Sequence, residues 1–281
     1  MKQPLSIDSI IEYALIEDIG DGDHTSQSTI DSTNTGRAHL IVKQEGILSG
    51  IEVAKLVFRK VDPTIKMNTF LQDGSKIYRG DIAFEVYGPS ISILKAERLV
   101  LNFMQRMSGI ATATSLYVNK LKGLHTKILD TRKTTPLLRE VEKQAVIHGG
   151  GHNHRFGLYD MIMIKDNHID FAGGVEKAIT SVVNYLDQHN LRLKIEVEVR
   201  NFSELKQVLE IGKVHRIMLD NYSTDDLRKA VKLIGGRYET EASGGINLET
   251  VRSFAETGVD FISVGALTHQ IKSLDMSLKA F

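Results

Sequence analysis

The sequence predicts an α/β protein in two parts, a small α+β domain followed by a barrel of parallel strands. Three observations lead there. From position 127 onward six short apolar runs, at 127–130, 161–164, 193–199, 216–219, 238–242 and 261–264, alternate with segments of helical periodicity, and repeated strand-then-helix units imply a parallel sheet. Between Gly36 and Pro89 the runs are shorter and β-rich, and they surround one helical stretch. No run is followed by a Gly-x-Gly-x-x-Gly turn, and Gly149-Gly150-Gly151 precedes none, which favours a barrel over an open doubly wound sheet.

Taken in chain order, Ile7, Ile10, Ile11, Ala14 and Leu15 recur at helical spacing behind Ser6, whose hydroxyl suits an N-cap. That opening helix ends in Gly20-Asp21-Gly22-Asp23-His24-Thr25-Ser26. Residues 38–43, 76–78 and 82–87 read as strands and 53–61 as the helix among them. Residues 92–123 are mostly helical and bridge the two parts, with Leu94, Leu99, Leu101, Phe103, Met104 and Met107 as apolar surface and Gly109 as a candidate break. Glu140 and Glu142 lie on a helical pattern and are expected at the surface, whereas Met161 and Met163 are expected in the core.

Composition narrows the function. A chain of 281 residues with 42% hydrophobic content can bury a large core. Lysine plus arginine and aspartate plus glutamate stand at 35 each, so the balance points to neither nucleic acid nor a membrane surface, and a basic site must be local. No apolar run reaches membrane-spanning length, and Asp8, Glu12, Glu17 and Asp18 interrupt the amino-terminal stretch, unlike a secretory signal; a cytoplasmic location is the expectation. The absence of cysteine excludes a disulfide framework, a thiolate metal site and a cysteine nucleophile.

A parallel barrel carries its active site at the carboxyl ends of its strands, and here those ends are polar. The runs finish in Asp130-Thr131-Arg132-Lys133, Lys165-Asp166-Asn167-His168, Asp220-Asn221, Ser243-Gly244-Gly245 and Val264-Gly265-Ala266. Glu196 and Glu198, two apart on one strand, share a face directed into the barrel, and Glu198 beside Asp220 suits ribose hydroxyls or magnesium. Arg132, Lys133, His154, Arg155 and Lys165 would crowd if their strands are neighbours, and such crowding requires a polyanionic ligand. The two glycine turns suit a phosphate at a helix start, although each alone reads equally as a tight strand-to-helix connection. Singly, Arg132 and Lys133 read as a solvated pair and His154 as a structural histidine; two histidines in 149–154 with no third ligand disfavour zinc.

The order and content of these segments resemble the quinolinate phosphoribosyltransferase family. The resemblance rests on Asp130 to Pro136 (Asp-Thr-Arg-Lys-Thr-Thr-Pro), Gly149 to Arg155 (Gly-Gly-Gly-His-Asn-His-Arg) and Ile164 to His168 (Ile-Lys-Asp-Asn-His). It extends to Glu97-Arg98 and the residues through Asn102, Ser108 to Thr112, Glu196-Val197-Glu198, Met218 to Asn221, Glu241 to Ile246 and Gly265 to His269, and even to Gly22 to Ser26.

The resemblance implies a type II phosphoribosyltransferase: an N-terminal α/β sandwich domain (1–108), an incomplete α/β barrel (109–270) and a tail (271–281) packing back on the first domain. It implies transfer of phosphoribosyl from phosphoribosyl pyrophosphate (PRPP) to quinolinate with decarboxylation, giving nicotinate mononucleotide, pyrophosphate and carbon dioxide in de novo NAD biosynthesis. Magnesium would accompany PRPP at Glu198 and Asp220, directly or not, with no pyridoxal phosphate, thiamine or nicotinamide cofactor. By the same resemblance Arg132, His154, Arg155 and Lys165 hold the quinolinate carboxylates, and Arg98 enters from a neighbouring subunit of a homodimer or hexamer. Lys133, in the Thr131 turn, meets PRPP; Glu198 and Asp220 take its ribose; Ser243, Gly244, Gly245, Val264, Gly265 and Ala266 take its 5′-phosphate. Leu137, where glycine is common, and Gln144, where an aromatic is frequent, depart from the pattern. A same-fold relative acting on another acceptor is the alternative.

Overall fold

The computed structural model describes residues 5–281, which divide into two compact units. The first comprises the chain up to Ser115 with Thr134–Gly150 and Leu267–Phe281; the second comprises Leu116–Lys133 and Gly151–Ala266.

The first unit opens with α1 (Ile7–Ile19), whose Ser6 cap accepts the Ser9 N–H at 3.3 Å and whose Ile11 and Leu15 are buried. Gly20 closes it at φ 54, a left-handed value that a side chain resists. The sequence reading missed a second helix inside this terminator, α2 (His24–Thr29), which forms because Asp23 accepts the Ser26 N–H at 3.0 Å. There follow β1 (Thr35–Val42), β2 (Gly46–Ile47), α3 (Ile51–Val61), β3 (Lys66–Thr69), β4 (Lys76–Ile77) and β5 (Ile82–Pro89). Alternation along β1 buries Ala38, Leu40 and Val42 while their neighbours face outward. α3 buries Val53, Ala54, Val57 and Phe58, and the Phe58 ring meets Phe84 of β5 edge-on at 5.9 Å.

The bridging helix α4 (Ser90–Lys120) is unbroken at Gly109. Gly109 is there for close approach instead: a Cβ would stand 2.4 Å from the Lys272 carbonyl oxygen. Glu142, on α5 (Arg139–His148), is not at the surface either. It is fully buried because Arg106 of α4 pairs with it at 2.6 Å, and such a paired carboxylate tolerates burial.

The second unit is a sheet of six parallel strands in the order β6 (Lys127–Leu129), β11 (Phe261–Ser263), β10 (Glu239–Ser243), β9 (Arg216–Asp220), β8 (Ile195–Val199), β7 (Ile162–Ile164). Between them run α6 (Asp166–Ala172), α7 (Val175–Gln188), α8 (Phe202–Ile211), α9 (Thr224–Ile234) and α10 (Val251–Ala255), each touching the next save α10, which touches α9. Leu205, Leu227, Ile234 and Val251 on these helices are fully buried, as are Val197, Ile217, Ala242 and Ile262 on the strand face they cover. Each large aliphatic group so buried contributes about 1.5–3 kcal/mol. Met161 and Met163 on this unit are half-buried rather than core, since β7 is an edge strand. After β11 come α11 (Ala266–His269) and β12 (Met276–Ala280), and β12 pairs antiparallel with β1, giving a first-unit sheet of order β12-β1-β5-β3.

Candidate active site

The carboxyl ends of the parallel strands position nearly every residue of interest within the second unit. At β6 the chain leaves the sheet through Asp130, which is fully buried. Its N–H donates to the His152 carbonyl at 3.1 Å, and its Oδ1 accepts the His154 N–H at 2.8 Å. A parallel bridge between Leu129 and His152 adjoins these bonds. Segments 130–133 and 152–155 are thus stapled side by side, although some twenty positions separate them in the sequence.

The staple brings Arg155 beside Arg132. Burial depresses the Arg155 pKa most, and the Arg132 charge depresses it further, against the partial relief of Glu196 and Asp160. Arg155 is held by an Nη1 bond to the Met161 carbonyl at 3.2 Å, while Asp160 closes the intervening loop by accepting the Phe156 and Gly157 N–H groups at 2.6 and 2.8 Å. A guanidinium can offer a two-pronged donor to a carboxylate, and an anion between these two half-buried groups would relieve their repulsion. Lys133 is exposed, its N–H bound to the Thr131 hydroxyl at 3.0 Å.

At β7, Lys165 caps α6, donating its N–H to His168 Nδ1 at 2.9 Å and placing its ammonium 3.4 Å from Glu198. Burial is the largest cause raising the Glu198 pKa; Lys165 opposes it, and the Asp220 charge adds to it. Asp220, at the end of β9, accepts the Ser243 hydroxyl at 2.6 Å and the Asn221 amide at 2.6 Å. Gly244 at φ 99 has no room for a Cβ, which would strike the Asn221 side chain, whereas a Cβ on Gly245 at φ 63 would meet open space. The turn therefore lets a ligand reach the Gly245 backbone. A 247–250 turn, whose Asn247 carbonyl accepts the Val251 N–H at 2.8 Å, stands between it and α10 at Val251. After β11, by contrast, α11 starts at Ala266, directly behind Val264 and Gly265.

His154 is 9% exposed, and the structure turns both its ring nitrogens toward the protein: Nε2 lies 2.9 Å from Glu196 and 3.5 Å from Glu241, and Nδ1 accepts the Arg155 N–H at 2.7 Å. Glu241 in turn pairs with Arg216 at 2.9 Å, which lies over the Phe261 ring at 4.0 Å. Asp130 and Glu241 fall in motifs legible in the sequence but were assigned no role there, and Arg216 was missed. Glu239 and Glu241 do stand at alternate positions of one strand, the same signal that singled out Glu196 and Glu198. Arg98 is exposed on α4 and belongs to the first unit.

Two family models divide the chain between them: quinolinate phosphoribosyl transferase N-terminal domain matches residues 23–108, and the C-terminal domain of the same family matches 110–279. With an N-terminal α/β sandwich and an incomplete parallel α/β barrel, the protein is a type II phosphoribosyltransferase. A quinolinate phosphoribosyltransferase [decarboxylating] 1b of Nicotiana tabacum is 50% identical, covering 96% of this chain and 81% of the relative. A probable nicotinate-nucleotide pyrophosphorylase [carboxylating] of Bacillus subtilis is 43% identical over 98% of this chain and 93% of its own. The crystal structure of NadC from Streptococcus pyogenes superposes with a TM-score of 0.92 at 39% identity, covering 99% of this chain and 98% of that one. The chain belongs to the quinolinate phosphoribosyltransferase family. Among the described residues no helix is long and apolar enough to cross a membrane.

Proposed function

We propose that, in the decarboxylating transfer of phosphoribosyl from PRPP to quinolinate, Arg132, Arg155 and Lys165 grip the two substrate carboxylates with His154 set behind Arg155. Lys133 and the Thr131 turn face the diphosphate of PRPP, Glu198 and Asp220 the ribose, and Ser243, Gly244, Gly245, Val264, Gly265 and Ala266 the 5′-phosphate. The observation that carries this reading is the pair of guanidiniums at Arg132 and Arg155, whose mutual repulsion an anion would relieve. Glu198 and Asp220 also fit magnesium: they offer hard oxygen donors on neighbouring strands, and a divalent cation shared with phosphates would relieve the repulsion that helps raise Glu198. Bound there with PRPP, magnesium would neutralise charge on the departing pyrophosphate.

The residues mainly position and stabilise separated charge. The clamp holds the pyridine nitrogen toward the ribose anomeric carbon; the new C–N bond forms as the bond to pyrophosphate breaks, with Glu198 and Asp220 close to the cation-like sugar. Once the nitrogen is quaternised, its charge stabilises the electron pair left as the adjacent carboxylate departs as carbon dioxide, and a proton from solvent then takes up that pair at the ring carbon. Neither step needs a covalent nucleophile. We further propose that Arg98 completes the site of a neighbouring subunit in a homodimer or hexamer. Incubation with PRPP, magnesium and either quinolinate or nicotinate tests the assignment: consumption of quinolinate with release of carbon dioxide is expected, and consumption of nicotinate alone would overturn it in favour of a same-fold relative with another acceptor.

A further inference from the structure

Glu196, Glu241 and Arg216 lie in the barrel interior and have no part in the roles set out above. Glu196 and Glu241 are fully buried, on β8 and β10, and Arg216 sits between them on β9. The register sets Glu196 level with Arg216, and Arg216 is bound to Glu239 at 3.0 Å as well as to Glu241. His154 is the point where this network meets the clamp. Its main chain is fixed by Asp130, its Nε2 stands 2.9 Å from Glu196, and its Nδ1 is the acceptor for the N–H of Arg155.

Burial opposes a charge on His154 and the two carboxylates favour one, with the net shift upward. A second ring proton, however, would point Nδ1–H at the Arg155 N–H across 2.7 Å, donor against donor. A bare Nδ1 with the ring proton on Nε2 satisfies that contact. The same three side chains could hold a metal ion, since their ligand atoms lie within 4.8 Å of one another. Arg216 already supplies a cation to Glu241 there, and Nε2 already faces Glu196 at hydrogen-bond distance.

We propose that Glu196 is a positioning residue for quinolinate binding: by accepting the Nε2 proton it fixes the tautomer of His154, whose bare Nδ1 holds the Arg155 main chain and so sets the guanidinium of the clamp. The proposal rests on the reading of Arg155 as a carboxylate ligand, and it gives the buried acids a reason to be where aliphatic side chains would pack at less cost.

The ring nitrogens of His154 in the substrate-free wild-type protein test the tautomer directly. A nitrogen-15 spectrum at neutral pH should show one protonated nitrogen, Nε2, and one bare; two protonated nitrogens overturn the proposal. In Glu196→Ala the KM for quinolinate should rise about tenfold or more while kcat and the KM for PRPP stay within about twofold. Glu196→Gln, whose amide oxygen can still accept the proton, should recover most of the affinity, and its spectrum should keep the Nε2–H tautomer even if the alanine variant does not fold. Equal losses in all three constants, or no recovery with glutamine, would mean that Glu196 only supports the fold. Zinc retained by the wild type after chelation and lost from Glu196→Ala overturns the proposal too, because a metal on Nε2 would stand where the proton is required. The spectrum needs no substrate, so its outcome is separate from whether quinolinate is turned over at all.

Discussion

At the scale of single residues, charge placement costs stability where it would serve chemistry. Burial and the Asp220 charge raise the Glu198 pKa despite Lys165. A carboxyl whose pKa is higher folded than unfolded binds its proton more tightly in the fold, so the stability it confers is present in acid and lost as pH rises between the two values. Glu198→Gln should therefore raise Tm at neutral pH by a few degrees while turnover is lost, and the gain in Tm should vanish below about pH 4, a comparison that thermal melts at two pH values make. Arg155→Lys exchanges a planar fork for a point charge and should raise the quinolinate KM with less effect on kcat; an unchanged KM would remove Arg155 from the clamp. Leu137, where the family pattern favours glycine, holds φ 68 and is 66% exposed, so it carries left-handed strain that little burial offsets. Leu137→Gly should relieve roughly 1–2 kcal/mol of strain, less about 0.5–1 kcal/mol for the added freedom of the unfolded chain, and raise Tm slightly.

At the scale of elements, the periodicities in the sequence were enough for most helices and strands, and the exceptions have local causes. α2 escaped because its start signal, Asp23, lies among residues that also end α1. Gly109 looked like a break because glycine disfavours helices, yet what requires it is the backbone at Lys272, a contact distant in sequence. Gly109→Ala should lower Tm instead of giving the usual gain of about 1 kcal/mol for this exchange inside a helix. Glu142 looked exposed because a carboxylate on a helix usually is; its partner Arg106 stands thirty-six positions earlier. No periodicity reports such a pair.

For the whole molecule, the proposal that Arg98 serves a neighbouring site can be checked without coordinates of the assembly. Arg98→Ala and Lys133→Ala subunits, each inactive alone, should recover part of the wild-type activity when mixed into shared oligomers, and no recovery in verified mixtures would assign Arg98 to its own chain. The sequence by itself determined the strand–helix alternation, the parallel sheet and the polar strand ends, because hydrophobic period and turn residues are local properties of neighbouring positions. It also carried the family, through motifs whose spacing is linear. Only the tertiary structure decided which charges meet: that Asp130 staples Arg132 beside Arg155, that His154 turns inward to Glu196, and that Glu241 and Arg216 lie beneath. Those contacts depend on strand order and register, which place residues far apart in the chain within hydrogen-bond distance, and on burial, which makes each pairing of charges costly to leave unmade.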